Sequence, residues 1–316
     1  MLNKKIGLGV LSAGLLLAGC GGGGDDDSAV ATVPLTLANY DDITLSVAAG
    51  IVGSDSIFST FESVASLDST LSGASGLNVL NSGRVGDIAQ FALNRFAVRQ
   101  PNLEQPAAVT NGTELCAFGG RLLISVDDVD NDGEESVGDS VSVVADQCVL
   151  EPGVPAVNGS LGIRLVAVSY GRDGYLTSGA ADLSFENFSS AGLVLNGGAR
   201  ISLDSTKVVL AYRNLSSTYG GQTLTYNYTL TSNVDVSPSS ATVAGQFAID
   251  GSTYTLSTPV TIQFGALYPA SGTLRIGDGR GNRVEAVMSA GGFDANLYLA
   301  GDDVRDSTTA YLWSAL

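Results

Sequence analysis

The sequence predicts a mostly β protein in which a large antiparallel meander forms a soluble barrel or sandwich, with a small N-terminal helical region. From about Val109 onwards, apolar and polar residues alternate with the period-two spacing of half-buried strands. Glycine-containing turn signals separate these segments at hairpin distances, and 40 glycines are available for turns and bulges. Between about residues 41 and 100 the apolar residues instead recur at helical intervals.

The region before the strands carries the pattern of amphipathic helices. Residues 54–71 and 86–100 each place their large apolar side chains on one side of a 3.6-residue period. Asp87 suits the first turn of the second helix, and Pro101 ends it. We therefore expect two or three helices in residues 35–105, each burying its apolar stripe against a larger element.

Alternation continues through the predicted β domain, residues 106–316. Its clearest apolar positions are Leu161, Ile163, Leu165, Leu224, Tyr226, Tyr228, Leu230, Val260, Ile262, Phe264, Val284, Ala286 and Met288. The turn signals are Asn158-Gly159, Asn196-Gly197, Asp250-Gly251 and Gly277-Asp278-Gly279. Their spacing predicts about ten to twelve strands. Serine and threonine dominate the alternate positions and aromatic residues are only 7% of the chain, which favours a soluble sheet over a membrane-spanning one.

The N-terminal residues have the pattern of an export signal. Lys4 and Lys5 precede an apolar segment, residues 6–17, which is the arrangement of a secretory signal. That segment is too short to span a bilayer as a helix, which takes roughly 20 residues. Leu17-Ala18-Gly19-Cys20 follows it and resembles the lipobox of bacterial lipoproteins. The alternative is an ordinary signal peptide in which the cysteine is incidental.

The lipobox resemblance implies that residues 1–19 are removed and that Cys20 becomes the acylated first residue. Residues 20–34 then form a tether, because four glycines and three aspartates follow Cys20, with a reach of roughly 20 Å. In lipoproteins of Gram-negative bacteria, glycine after the acylated cysteine is compatible with transfer to the outer membrane, and Gly21 stands there. The chain as a whole resembles uncharacterised proteobacterial lipoproteins. We therefore expect a lipid-anchored outer-membrane protein, held to the membrane through its N-terminal acyl chains.

Charge and composition restrict the function further. A formal net charge of −17 predicts no binding to nucleic acid and makes cations the natural partners. The chain contains no histidine, which removes Ser-His-Asp and Cys-His catalysis and the commonest zinc ligand. No pair of carboxylates is singled out for glycoside hydrolysis. The sequence therefore predicts a protein that is not an enzyme, and it assigns no protein or lipid partner.

Two cysteines remain besides Cys20. Cys116 and Cys148 form an even pair in a chain predicted to be exported, where disulfides persist. We expect one disulfide between them; the alternative is two buried free thiols. Cys116 lies 17 residues before Gly133 and Cys148 lies 15 residues after it. Strands that fold back about this glycine are thus expected to bring the cysteines nearly opposite each other, so that the disulfide staples the loop between them.

That loop contains acids at a regular spacing. Asp128, Asp130 and Asp132 stand at positions 1, 3 and 5 of a 12-residue segment, with Gly133 at position 6 and Asp139 at position 12. The segment resembles the calcium loop of EF-hand proteins. The resemblance implies a structural Ca²⁺ ion with weak affinity, as in extracellular modules. The expected ligands are Asp128, Asp130, Asp132, Glu134 and Asp139.

The segment departs from the EF-hand pattern in three respects. Its flanks have the alternation of strands instead of helices, Glu135 stands at position 8 where the family has an apolar residue, and Asp139 is shorter than the usual glutamate. The resemblance therefore covers one loop and carries no implication for the rest of the fold. The alternative is a mobile, solvated acidic hairpin loop without an ion.

The sequence thus predicts a membrane-anchored envelope lipoprotein with a structural or adhesive function and a calcium-stabilised hairpin loop. The alternative function is a periplasmic carrier of a lipid or another apolar ligand. Helices packed on a curved antiparallel sheet can enclose an apolar cavity, which is the basis of that alternative.

Overall fold

Fourteen strands and one helix make up the described part of the chain. The computed structural model describes residues 33–48, 109–130, 136–170, 172, 176–233, 239–265 and 268–313. The helix, α1, covers residues 40–48. The strands are β1 Val109–Leu115, β2 Arg121–Asp127, β3 Ser140–Cys148, β4 Val157–Tyr170, β5 Leu176–Ser190, β6 Leu193–Leu203, β7 Lys207–Tyr219, β8 Gln222–Asn233, β9 Ser240–Ile249, β10 Ser252–Phe264, β11 Pro269–Gly277, β12 Arg283–Ser289, β13 Gly292–Tyr298 and β14 Arg305–Leu312. Within these ranges we find no helix with the length and apolarity needed to cross a membrane.

All fourteen strands belong to one sheet, and they pair in chain order from β1 to β14. Each neighbouring pair is antiparallel, for example Leu123 opposite Val144 between β2 and β3. The predicted antiparallel meander is therefore confirmed, and the sheet is open, with β1 and β14 as its edge strands. The predicted number of strands was too low. Short connections such as Ala191-Gly192 and Gly220-Gly221 give a weaker local signal than Asn-Gly or Asp-Gly.

Two predicted turns lie inside strands. Asn158-Gly159 belongs to β4 and Asn196-Gly197 belongs to β6, whereas Asp250-Gly251 does connect β9 to β10. Both misassigned pairs face β-bulges, at which the pairing register shifts. Glycine with positive φ serves a bulge as well as a turn, so the dipeptide alone does not distinguish them.

The bulges on β3 to β7 follow one repeated arrangement, which we call the bulge row: Gln147, Asn158-Gly159, Asn187, Asn196-Gly197 and Asn214. Gln147, Asn187 and Asn214 have positive φ. The side-chain oxygens of Asn158 and Asn196 accept hydrogen bonds from the backbone N–H groups of Gln147 (2.9 Å) and Asn187 (2.7 Å). Because bulges increase local bending and twist, a row of them across five strands curves the sheet.

One face of the sheet carries the core. Alternate residues are buried along many of the strands, as in β2, where Leu122, Ile124 and Val126 are buried between more exposed neighbours. An aromatic cluster continues this core across β7, β8 and β9, with ring centroids 4.9–6.2 Å apart. Its members are Tyr212, Tyr226, Tyr228 and Phe247. Burial raises the pKa of Tyr226.

Val260 departs from the predicted pattern. It is 56% exposed, whereas Ile262 in the same strand is fully buried. The pairing of β10 with β11 shifts register on both sides of Val260. The shifts interrupt the alternation that the sequence suggests, because one extra residue moves the following side chains to the other face.

Helix α1 packs on the sheet at β14. Its buried residues Tyr40, Ile43 and Val47 recur at helical spacing. The Tyr40 hydroxyl lies 3.0 Å from the Ser307 hydroxyl and 2.6 Å from that of Thr309. The predicted helices at residues 54–71 and 86–100 lie outside the described residues.

Because the strands form a meander, the strand connections lie at two opposite ends of the sheet. The connections that lead from odd-numbered to even-numbered strands all lie at one end, which we call the proximal end: residues 116–120, 149–156, 191–192, 220–221, 250–251, 278–282 and 299–304. The connections from even-numbered to odd-numbered strands lie at the distal end, and their described residues are 128–130, 136–139, 172, 204–206, 239, 265, 268 and 290–291. This division follows from antiparallel pairing in chain order.

Candidate functional site

The acidic segment is the loop of the β2–β3 hairpin at the distal end. Asp127 pairs with Ser140 as the last residue pair of the hairpin, so the loop consists of residues 128–139. These are the same 12 residues that resemble the calcium loop of EF-hand proteins. Strands flank the loop on both sides, as their alternation predicts.

Three of the five predicted ligands lie together. One carboxylate oxygen each from Asp128, Asp130 and Asp139 falls within 4.8 Å of the other two. Carboxylate oxygens are the ligands that Ca²⁺ prefers, so the three side chains form a candidate cation site. The other two predicted ligands, Asp132 and Glu134, lie outside the described residues.

Backbone groups orient the carboxylate of Asp139. One of its oxygens accepts a hydrogen bond from the Val129 N–H (3.0 Å), and the other accepts one from the Ser136 N–H (2.7 Å). These bonds tie the end of the loop to its beginning. Each carboxylate oxygen can accept more than one partner, so lone pairs remain for a cation.

The base of the loop is also fixed by β4. The Leu165 N–H donates to the Asp139 carbonyl (2.9 Å), and the Gly138 N–H donates to the Leu165 carbonyl (3.0 Å). Gly138 has φ +109°, a conformation that residues with a side chain rarely adopt. The acids of the loop therefore stand on a backbone held from two sides.

Charge around the cluster favours a cation. Two carboxylates about 5 Å apart repel by roughly 3 kcal/mol at an effective dielectric of about 20, and water screens the exposed Asp130 further. No arginine or lysine stands within the loop, residues 128–139. A divalent cation would therefore relieve repulsion that the loop sequence itself does not compensate.

The structure places Cys116 and Cys148 at disulfide distance, with their Sγ atoms 2.00 Å apart. Their position corrects one expectation, because the disulfide does not staple the acidic loop. Cys116 follows β1 in the connection to β2, and Cys148 ends β3, so both lie at the proximal end. The six residue steps of β2 place the disulfide roughly 20 Å from the loop. Sequence spacing alone did not reveal the reversal at residues 116–120.

A hydrogen-bonded network at the proximal end has no counterpart among the sequence-based predictions. Asp278 is 3% exposed, and its carboxylate accepts hydrogen bonds from the backbone N–H groups of Leu35, Arg280 and Asn282. The side chain of Asn282 donates to the same carboxylate (2.8 Å) and to the Leu35 carbonyl (3.4 Å). This network attaches the segment before α1 to the β11–β12 turn. Residues 243 positions apart meet here, and no local pattern signals such a contact.

Two further contacts secure the segment before α1 and the helix. The Tyr254 hydroxyl donates to the Val33 carbonyl (3.0 Å), and the Tyr311 hydroxyl donates to the Asp41 carboxylate (2.7 Å). Burial and the neighbouring Asp41 carboxylate raise the pKa of Tyr311. Cys20, the predicted acylation site, lies outside the described residues, and the chain enters the described structure at Val33, beside the start of β10.

The fold and site define a mostly β protein with an acidic hairpin loop at one end of its sheet and a disulfide at the other. No family model matches the chain, and neither a curated protein nor a solved structure matches it. Function is therefore inferred from the residues and their geometry.

Proposed function

We propose that the protein is a membrane-anchored envelope lipoprotein, non-enzymatic, with a structural or adhesive role and a calcium-stabilised hairpin loop. The observation that carries the anchor is Leu17-Ala18-Gly19-Cys20 after a charged and apolar signal segment. Gly21 after Cys20 supports the outer membrane as the location, because the lipobox resemblance makes glycine at that position compatible with transfer there. Its partner there is the membrane itself, reached through the acyl chains.

The convergence of Asp128, Asp130 and Asp139 supports the calcium ion. Only oxygen ligands are offered, which suits a hard cation such as Ca²⁺. The ion has a structural role, because it holds together a loop whose acids otherwise repel each other. A calcium-bound loop at the distal end of a lipid-anchored domain suits a protein that contacts other envelope or surface components.

The anchor is tested by Cys20→Ser in the full chain expressed in a Gram-negative host. We expect an uncleaved precursor without acyl chains, because the cysteine thiol is the group that is acylated. Mass spectrometry of the N-terminal peptide and membrane fractionation measure both effects. Normal cleavage and membrane retention of Cys20→Ser would exclude the proposed anchor. Cys116→Ser is the matched control and is expected to remain acylated.

The calcium ion is tested by thermal unfolding with calcium and with a chelator. We expect chelation to lower the Tm of the wild-type protein, because an ion bound to the folded state stabilises it. The Tm of Asp130→Asn is expected to be unaffected by chelation, because Asp130 supplies one of the converging carboxylate oxygens. Asp294→Asn is the control, since Asp294 is an exposed acid in β13, outside the loop. An equal Tm shift in Asp130→Asn and wild type would count against this site.

Native mass spectrometry distinguishes the proposed role from the carrier alternative. The protein is purified without denaturant and measured with and without calcium. A mass that increases only by calcium agrees with the proposal. An apolar adduct that co-purifies with the protein would favour a periplasmic carrier instead.

A further inference from the structure

The two ends of the sheet relate differently to the N-terminal chain. Tyr254 and Asp278, which contact Val33 and Leu35, both lie at the proximal end. Thirteen residue steps separate Val33 from Cys20, which corresponds to a root-mean-square reach of roughly 20 Å. β10 alone, at roughly 3.3 Å per residue, is about 40 Å long. A lipid attached at Cys20 therefore holds the proximal end nearer to the bilayer than the distal end.

The proximal end carries exposed apolar side chains in several separate connections and strand ends. They are Val33, Leu37, Leu115, Phe118, Tyr219 and Val304, each at least 50% exposed. Leu115 and Phe118 stand at the β1–β2 connection, Tyr219 at the β7–β8 connection and Val304 at the β13–β14 connection. The distal end also exposes Val129, Val137 and Leu312, so apolar exposure does not by itself distinguish the two ends; the attachment of the N-terminal chain and the distribution of charge do. Apolar residues spread over several connections suit a broad surface such as a bilayer better than a single small ligand.

The acidic loop concentrates negative charge at the distal end. Residues 128–139 contain six acids and neither lysine nor arginine. At the proximal end arginines stand beside acids, with Asp303 paired to Arg283 (2.7 Å) and Asp146 to Arg121 (2.9 Å). Bringing the acidic loop against phosphate headgroups therefore costs electrostatic free energy.

We propose that the proximal end of the sheet rests on a zwitterionic bilayer surface, with Phe118 and its apolar neighbours at the headgroup level and the acidic loop directed away from the membrane. This inference rests on the proposed lipid anchor. The partner is zwitterionic because a chain with a net charge of −17 is repelled by anionic lipid. Apolar contact alone is modest here, and the anchor supplies the remaining membrane affinity.

The test uses the acylated full chain bound to phosphatidylcholine vesicles. One set of vesicles carries bromine on the lipid acyl chains, and the other does not. Bromine quenches the fluorescence of nearby tryptophan residues. Phe118→Trp and Val304→Trp report on the proximal end. Tyr170→Trp is the matched control, because Tyr170 is a 49% exposed aromatic residue at the distal end of β4. The native Trp313 is 3% exposed and contributes the same background to every variant.

We expect brominated lipid to reduce the added fluorescence of Phe118→Trp and Val304→Trp and to leave that of Tyr170→Trp unchanged. Adding anionic phosphatidylglycerol is expected to weaken the effect at Phe118→Trp, and a stronger effect would overturn the zwitterionic assignment. Equal quenching at both ends, quenching of Tyr170→Trp alone, or none at all would overturn the orientation. The intact mass separates the failures: a chain without acyl groups refutes the anchor and the orientation together, whereas an acylated chain without differential quenching refutes the orientation alone.

Discussion

Asp278 shows how one buried carboxylate connects distant parts of the chain. Its two oxygens accept four hydrogen bonds, from the N–H groups of Leu35, Arg280 and Asn282 and from the Asn282 side chain. A buried charge is tolerated only when its acceptors are satisfied in this way. At the residue scale, this carboxylate holds the N-terminal segment against the β11–β12 turn.

Asp278→Asn is expected to lower the free energy of unfolding by about 1–3 kcal/mol. The amide offers one oxygen where two were used, so N–H donors would face its NH₂ group. Denaturant unfolding measures the loss, and limited proteolysis is expected to cut the segment before α1 more rapidly. Asp294→Asn, an exposed change in β13, serves as the control. A variant as stable and as protected as wild type would contradict this role of Asp278.

The contrast between Asp278 and the acidic loop also shows what sequence reveals about single residues. Asp128, Asp130 and Asp139 could be grouped in advance, because they lie within 12 consecutive residues at a spacing typical of calcium loops. Asp278 was assigned only to a turn. Its partner Leu35 is 243 residues away, and local spacing carries no information about such a pair.

At the element scale, the β2–β3 hairpin carries different features at its two ends. The acidic loop occupies the distal end, and Cys148 reaches Cys116 in the β1–β2 connection at the proximal end. The disulfide thus ties β1 to β3 across the turn that precedes β2. It secures the edge of the sheet, where β1 has only one neighbouring strand.

Replacing both cysteines in Cys116→Ala/Cys148→Ala is expected to lower the free energy of unfolding by about 3–4 kcal/mol, from the closed segment of 32 residues. The Tm difference between calcium and chelator is expected to persist, because the loop lies at the other end of the hairpin. Chemical denaturation and thermal scans measure the two quantities. Loss of the calcium-dependent shift in the double variant would mean that the disulfide and the loop are coupled.

Most elements could be predicted from local patterns, and the exceptions have a common cause. Asp250-Gly251 connects two strands, whereas Asn158-Gly159 and Asn196-Gly197 lie within strands, although all three are turn signals by composition. Each supplies a glycine with positive φ. Whether the chain then reverses or continues through a bulge depends on the neighbouring strand, which the dipeptide does not specify.

At the scale of the whole molecule, the bulge row crosses five neighbouring strands of the sheet, and bulges increase local bending and twist. Gly159 and Gly197 are required there for space as well as for φ, since an added Cβ would lie 2.1 Å and 2.2 Å from the carbonyl oxygens of Asn187 and Asn214. Backbone approaches this close are a known use of glycine within strands. Beside this row, the aromatic cluster of Tyr212, Tyr226, Tyr228 and Phe247 is buried in the core.

Gly197→Ala is expected to lower the free energy of unfolding by about 2–5 kcal/mol. The positive φ is unfavourable for alanine, and the added Cβ would overlap the Asn214 carbonyl oxygen. Gly220→Ala is the control: it also has positive φ, but no atom lies within 4 Å of its Cβ position, so about 1–2 kcal/mol is expected. Equilibrium denaturation compares the two. Equal losses would show that the close approach at Gly197 does not contribute.

The sequence by itself determined the mostly β class, the antiparallel meander, the extent of the acidic loop and the strands beside it. These follow from alternation and turn composition, which act over a few residues. The tertiary structure alone decided that Asn158-Gly159 lies within a strand opposite β-bulges, that the disulfide lies at the end opposite the loop, and that the Asp278 carboxylate accepts a hydrogen bond from Leu35. Each of these depends on which strands become neighbours and in which register, and register is set by the packing of the whole sheet.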